Sequence, residues 1–209
     1  MTIKSYDELS SLELDTLKEI GSIGTGNAAT SLSALIGMPV RIQQPEVRIM
    51  EYNEAIEWIG GPEPITAGVL VGMSGQLSGI MLSVQQLEFV NLVLESMMNK
   101  TIEDYMELGE MEHSALTEVG NIMISTFINA LSSLAGIEIE LTVPAFTVDM
   151  QGAIMAVPMA EYGGQSNYIM TIGGNFICNG KEIPCRLLLS PDIRSLNFLL
   201  RKLGVNSGE

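Results

Sequence analysis

One eight-residue stretch, DTLKEIGS at residues 15–22, returns in altered form as SALTEVGN at residues 114–121. Both copies fit the pattern Asp/Ser-x3-Glu-x2-Ser/Asn, and both are followed, after 22 intervening residues, by a proline, Pro45 or Pro144. Every one of these anchors has its partner 99 residues later in the chain. Four anchors at one offset over some thirty residues indicate an internal repeat, which decides the architecture of the chain.

Outside the motif, the two halves predict the same elements. Ser10-x-x-Glu13 is a capping box that opens a helix running towards Gly37, and the matching helix spans about 112–134 and ends at Gly136. Alternating apolar and polar residues predict three strands after each helix. These strands cover residues 40–50, 66–72 and 77–82 in the first half, and 137–148, 167–178 and 182–189 in the second.

Each half then closes with another helix. For the last helix we predict Ser190 as the N-cap, Pro191 as the first helical residue and Gly204 just past the end. The sequence therefore predicts an α+β fold of two pseudo-symmetric helix–three strand–helix halves, with helices packed on one mostly antiparallel sheet. We expect a single domain over residues 1–209, with a first half of about 10–105 and a second of about 110–205.

The composition limits the classes of partner. The chain has 25 acidic and 10 basic residues and a formal net charge of −15, which repels nucleic acid and anionic lipid. The same acidity also suits a surface that only maintains solubility. The N-terminal residues lack a secretory signal, and no apolar run is long enough to cross a membrane, so we expect a cytoplasmic protein.

Cysteine and histidine offer little chemistry. Cys178 and Cys185 flank Asn179-Gly180, a dipeptide typical of a hairpin turn. A cross-strand disulfide or half of a metal site is compatible with this spacing, but two packed thiols in a reducing cytosol are favoured. The single histidine, His113, cannot build a metal cluster or a Ser/His/Asp triad, and we predict no metal site on this chain.

The motif residues share one face of the second long helix. With Ser114 at zero, Glu118 falls at about 40° and Asn121 at about −20° on a helical wheel. The apolar residues between them fall on a different face that suits the core. A carboxylate and a carboxamide are thus expected to point outward together, as are Asp15, Glu19 and Ser22 in the first copy; a merely solvated helix face gives the same pattern.

The two motifs, the first embedded in LKEIGSIGTGNAA at residues 17–29, resemble those of the CheC family of chemotaxis phosphatases, whose relatives include CheX and FliY. The resemblance covers nearly the whole chain. It implies a phosphatase that acts on the phosphorylated response regulator CheY, with Asn orienting the attacking water and Glu reaching the regulator's active site. Carried over by position, the catalytic residues are Glu118 and Asn121 in the second half and Glu19 in the first, where Ser22 takes the place of the asparagine. We expect Asp15 and Ser114 to contact the partner.

The resemblance has further implications and one departure. It implies no cofactor on this chain, Mg²⁺ on the partner regulator, and the receptor deamidase CheD as a second partner. The departure is Ser22, where the family pattern has Asn; its shorter side chain bonds a water through a single atom. The alternative function is a non-catalytic binding module for CheY, CheD or the flagellar switch.

Gly24-x-Gly26-x-x-Ala29 imitates a dinucleotide-binding fingerprint. That fingerprint must follow a strand, whereas the preceding residues predict a helix. We therefore expect these glycines to allow close helix packing or a local bend.

Overall fold

The computed structural model describes residues 3–162 and 167–205. Within them, each half contains a long helix, an outer strand, a short helix, a β-hairpin and a closing helix. The first half has α1 (Ser11–Ile36), β1 (Val40–Glu51), α2 (Tyr52–Ile59), β2 (Ile65–Gly75), β3 (Gly79–Gln85) and α3 (Leu87–Met98). The second has α4 (Glu110–Ala135), β4 (Ile139–Leu141), β5 (Ala145–Met150), α5 (Gln151–Tyr162), β6 (Tyr168–Cys178), β7 (Lys181–Pro191) and α6 (Ile193–Lys202).

The strands form one antiparallel sheet in the order β1-β6-β7-β3-β2-β4, with β5 also paired to β2. Exchange of the two halves gives the same order read from the opposite edge of the sheet. In this exchange β1 corresponds to β4 and β5, β2 to β6, and β3 to β7. Each half contributes its outer strand to the hairpin of the other: β1 pairs with β6, and β5 with β2. The predicted α+β fold with a pseudo-symmetric, antiparallel sheet is confirmed.

Helices cover both faces of the sheet. On one face α1 and α4 cross near the hydrogen bond from Thr126 Oγ1 to Ser31 Oγ at 3.0 Å and the approach of Gly24 to Phe127. The crossing is antiparallel, because Leu134 near the end of α4 lines the same surface depression as Ile20 near the start of α1. This side holds the larger apolar core, which α3 and α6 complete. On the other face α2 and α5 bury a smaller cluster that includes Tyr52, Ala55, Ile154, Met155 and Leu188.

The repeat extends to individual hydrogen bonds. The Tyr6 hydroxyl donates to the backbone oxygen of Pro191 at 2.7 Å, and the Tyr105 hydroxyl donates to that of Gln85 at 3.0 Å. The two tyrosines lie 99 residues apart, each in a one-turn 3-10 helix before its long helix. Each phenol therefore ties the start of a half to the end of a hairpin strand, at matching places in the sheet.

Two helices and one outer strand differ from the sequence predictions. The prediction of three strands between helices missed α2 and α5, which are short and lie directly after an outer strand. The predicted strand over residues 137–148 is divided into β4 and β5, with Pro144 in the gap, because proline has no N–H for the ladder.

The predicted start of the last helix was wrong. Ser190 and Pro191 continue β7, where Pro191 lies opposite Gly79, and the N-cap is Asp192, whose side chain accepts from Ser195 N at 2.8 Å. The Ser-Pro pair matches a helix start, but strand pairing with β3 extends two residues further than the pattern showed. The predicted turn past the helix end at Gly204 has the expected left-handed backbone, with φ +76°.

The cysteines are two separate buried thiols, as predicted. Asn179 and Gly180 form the hairpin turn with φ of +50° and +77°, which places Cys178 opposite Lys181 and Cys185 opposite Gly174. Both cysteines are free. Burial raises the pKa of the Cys185 thiol to about 12, so this group stays protonated and unreactive at neutral pH.

The two glycines of the apparent dinucleotide fingerprint have different surroundings. A Cβ at Gly24 would lie 2.5 Å from two ring carbons of the buried Phe127, whereas a Cβ at Gly26 would have nothing within 4 Å. The expected role in close helix packing is therefore confirmed for Gly24 only.

We expect Gly24→Ala to lower the free energy of unfolding by about 1–3 kcal/mol through overpacking against Phe127. The matched control Gly26→Ala should raise it by about 0.5–1 kcal/mol, because alanine favours the helix and meets no neighbour. Urea denaturation of both variants measures the difference. Equal shifts in the same direction would contradict the packing of α1 against α4 described above.

Candidate functional site

Local interactions set where the two motif-bearing helices begin. Ser10 and Glu13 form the predicted capping box, with Glu13 N donating to Ser10 Oγ at 3.3 Å and Ser10 N donating to Glu13 Oε2 at 2.8 Å. At the start of α4, Glu112 accepts from Gly109 N at 2.9 Å and from Lys100 Nζ at 2.6 Å. The hydrogen bond from Lys100 is the main cause that lowers the pKa of the Glu112 carboxyl. Both helices thus start one to two turns before their motif.

The motif side chains lie on the outer side of these helices. Glu19 and Glu118 are exposed, and so are Asp15 and Ser114, while Ser22 and Asn121 are half-buried. The opposite face of α4 is buried at Leu116, Val119 and Met123, with Ile122 half-buried at its margin. The structure therefore brings together the residues of each motif on a solvent-facing surface, as the helical spacing predicts.

Few of these side chains have a partner within the chain. Asp15 pairs with Lys18 at 3.0 Å, with both groups well exposed, and Asn121 Oδ1 accepts from Ser125 Oγ at 3.4 Å. In the described part of the chain, the side chains of Glu19, Ser22 and Glu118 take part in no hydrogen bond or ion pair. Their polar groups are consequently available to a ligand or a partner.

Two glycines that the sequence reasoning missed seat the motifs on the sheet. Gly21 and Gly120 directly precede Ser22 and Asn121, and a Cβ would lie 2.1 Å from Val47 Cγ2 at the first and 2.6 Å from Val69 Cγ2 at the second. The helices therefore lie against the sheet beneath each site more closely than a side chain would allow. Their common offset of 99 residues is the signal that could have identified them.

The second helix has an additional tether. The fully buried Gln85, at the end of β3, donates from Nε2 to the backbone oxygen of Leu116 at 3.1 Å. Leu116 lies two residues before Glu118, so this bond joins α4 to the sheet just below the second site.

The antiparallel crossing separates the two sites. The helices cross near residues 27 and 126, about eight residues beyond Glu19 in α1 and Glu118 in α4. At 1.5 Å per residue and in opposite directions, the two sites lie roughly 25 Å apart along the helices. Each site can therefore be engaged separately.

The first site borders a shallow apolar depression of about 350 Å³. Asp15 and Glu19 supply its acidic edge, while Ile20, Ile23 and Leu134 supply apolar surface, joined by Thr16 and Leu203. Ile23 and Leu134 are 36% and 48% exposed, which is unusual for large aliphatic side chains. The surface at Glu19 thus combines negative charge with exposed hydrocarbon.

Two other kinds of feature are absent from the residues that the structure describes. No group of three or more His, Cys, Asp or Glu side chains there is arranged to hold a metal ion. None of the described helices is both long and apolar enough to span a membrane.

Comparison with known families decides the relationship. The model of the CheC-like family matches residues 12–48 and 111–148, the segments that carry the two motifs and the strand starts that follow them. Both halves of the chain therefore carry a segment that matches the CheC-like family. This confirms the resemblance inferred from the repeated motif.

Individual relatives agree over most of the chain. The CheY-P phosphatase CheC of Bacillus subtilis is 24% identical over 198 residues, covering 93% of this chain and 95% of that protein. The crystal structure of Thermotoga maritima FliY superposes with a TM-score of 0.72 at 22% identity, covering 94% and 98% of the two chains. CheX in the CheX–CheY–BeF3–Mg²⁺ complex from Borrelia burgdorferi has the same fold at a TM-score of 0.53 and 19% identity, covering 83% of this chain and 96% of that one.

Because Glu118 is exposed and Asn121 is only half-buried, their truncation should leave the fold stable. We expect Glu118→Ala and Asn121→Ala each to change the free energy of unfolding by less than about 1 kcal/mol. Leu116→Ala, in the same helix but fully buried, should cost about 2–5 kcal/mol. Urea denaturation curves of the three variants provide the test, and a loss at Asn121 as large as that at Leu116 would contradict the outward placement.

Proposed function

We propose that this chain is a phosphatase that hydrolyses the aspartyl-phosphate of a CheY-like response regulator. The observation that carries the proposal is the outward Glu118–Asn121 pair, a carboxylate and a carboxamide on adjacent turns of a helix anchored to the sheet. Similarity to the CheC-like family and to a CheY-P phosphatase supports the choice of substrate.

Hydrolysis of an aspartyl-phosphate needs little catalytic assistance. An aspartyl-phosphate is a reactive acyl phosphate, so the main need is a water molecule held in line with the leaving carboxylate. The Asn121 carboxamide can accept from that water and donate to it without adding charge beside a phosphoryl group. Glu118, which is exposed and has no partner among the described residues, is free to pair with a cation of the regulator and fix the docking geometry.

In this proposal Asp15 and Ser114 contact the regulator at the edges of the two sites. Both are exposed, one helical turn before Glu19 and Glu118 respectively. Partner contact here is compatible with the acidic surface of the chain, which favours a partner with basic groups near its phosphorylation site.

The two copies should differ in activity. The first offers a hydroxyl at Ser22 where the second offers a carboxamide at Asn121. Loss of one well-placed contact to the water should cost roughly 2–4 kcal/mol of transition-state stabilisation. This corresponds to a rate about 30- to 1,000-fold lower.

We therefore expect Glu118→Ala and Asn121→Ala to remove nearly all turnover of a phosphorylated regulator, and Glu19→Ala to remove little. Release of inorganic phosphate, measured with a large excess of regulator over this chain, gives the comparison. Glu19→Ala is the matched control, because it removes the same group from the same helical position of the other copy. A greater loss at Glu19 would reverse the ranking of the sites.

A divalent ion belongs on the regulator in this mechanism. The acidic surface of this chain should therefore bind Mg²⁺ only weakly and without defined stoichiometry. Titration calorimetry of the isolated chain with MgCl₂ measures this affinity. A tight one-to-one site would contradict the placement of the ion on the regulator.

A binding module without catalysis is the second candidate, and the apolar depression beside Glu19 favours it for the first half. Exposed Ile23 and Leu134 suit a docking surface for a protein partner such as a regulator, the deamidase CheD or the flagellar switch. Turnover separates the two functions. A phosphatase dephosphorylates many regulator molecules per chain, whereas a binding module leaves the rate of phosphate release unchanged.

A further inference from the structure

Ser125, one turn after Asn121, directs its hydroxyl to an unusual acceptor. In helices, serine and threonine commonly donate to the backbone oxygen four residues earlier. Ser125 instead donates to the side-chain Oδ1 of Asn121 at 3.4 Å. The usual pattern holds at Thr16, Thr25, Thr30, Ser96 and Thr117, which all donate to that backbone oxygen.

This contact restrains the carboxamide at its Oδ1 end. Oδ1 accepts through two lone pairs and Nδ2 donates two N–H groups, so a half-turn of the amide exchanges an acceptor for a donor. No other hydrogen bond to this amide is present among the described residues. In the structure the Ser125 hydroxyl engages one lone pair of Oδ1, which leaves the other lone pair and the N–H groups to a water.

The first copy lacks this arrangement as well as the carboxamide. The residue 99 positions before Ser125 is Gly26, and a Cβ built there meets nothing within 4 Å. Space for a serine side chain is thus available at that position, next to Ser22 on the following turn. The two sites differ by a pair of residues, 22 and 26 against 121 and 125.

We propose that Ser125 is a positioning residue that holds the Asn121 carboxamide with Oδ1 presented to the attacking water. The proposal rests on the phosphatase function proposed above. It also implies that a working first site needs two changes, Ser22→Asn and Gly26→Ser, because an asparagine alone would lack its orienting hydroxyl.

The first test compares Ser125→Ala with the parent chain in steady-state dephosphorylation of a regulator. We expect kcat to fall about 3- to 10-fold, the range of one ordinary hydrogen bond, with KM unchanged. Ser133→Ala is the matched control, since Ser133 is exposed on the same helix about two turns further on, and it should match the parent. An unchanged kcat, or a loss that appears only in KM, would overturn the positioning role.

The second test needs no activity. In ¹⁵N-labelled protein, the side-chain Nδ2 group of Asn121 should have a lower order parameter in Ser125→Ala than in the parent and in Ser133→Ala. Equal order in all three would overturn the proposal, even if the chain is an active phosphatase. Higher order in the parent together with no phosphate release would support the contact while rejecting the proposed function, so the two failures are distinguishable.

The third test rebuilds the first site in an Asn121→Ala background, where the second site is disabled. Ser22→Asn with Gly26→Ser should give about 3- to 10-fold more turnover than Ser22→Asn alone, by the same hydrogen-bond argument. Gly26→Ser without the asparagine is the control and should add nothing. Equal turnover of the single and double changes would count against an orienting hydroxyl.

Discussion

The close approach of the long helices to the sheet and to each other is the constraint on which the rest of the structure depends. It requires glycine at three contact points: Gly21 over Val47, Gly120 over Val69, and Gly24 against Phe127. Because the contacts beneath the two sites lie one residue before Ser22 and Asn121, the same packing that seats each helix also fixes the height of its polar residue above the sheet. The site is therefore held by secondary structure rather than by a loop, which suits a reaction that depends on placing one water.

The antiparallel crossing also explains how one repeated motif gives two unequal surfaces. The first motif packs near the end of α4, where Leu134 borders the apolar depression, and the second lies above the Gln85 tether. The position in β7 that corresponds to Gln85 is Pro191. Its backbone oxygen accepts from the Tyr6 hydroxyl, but its side chain has no amide that could bond to the helix. The fold thus retains the same tyrosine hydrogen bond in both halves. The surroundings of the two sites differ, with an apolar depression beside the first and a hydrogen bond from Gln85 beneath the second.

Much of this could be predicted from the sequence because the chain repeats. The offset of 99 residues gave the two long helices, their ends at Gly37 and Gly136, and the outward placement of Glu118 and Asn121, all from helical periodicity and capping. Local pattern could not give the exchange of outer strands between halves, since pairing of β1 with β6 is a long-range choice that no local signal specifies. The α2 helix was missed because two turns after a strand give a weak periodic signal, and α5 was missed because it contains Pro158, which is typical of a helix break. The hydrogen bond from Ser125 to Asn121 could not be predicted, because residue spacing does not show whether a serine donates to a side-chain or a backbone acceptor.

The strand exchange bears on why a site with a weaker residue can persist in the same chain as a complete one. β1 pairs with β6 from Val40↔Cys178 to Glu51↔Tyr168, and α1 covers the apolar face of α4 around Phe127. Without the first half, the second would therefore expose a long unpaired strand edge and part of its core. The first half is thus indispensable to the fold whatever the activity of its own motif. The half-buried side chain at position 22 makes no hydrogen bond within the described chain, so the fold does not depend on a carboxamide there. The architecture consequently permits one copy to serve catalysis while the other serves support and, through its apolar depression, contact with a partner.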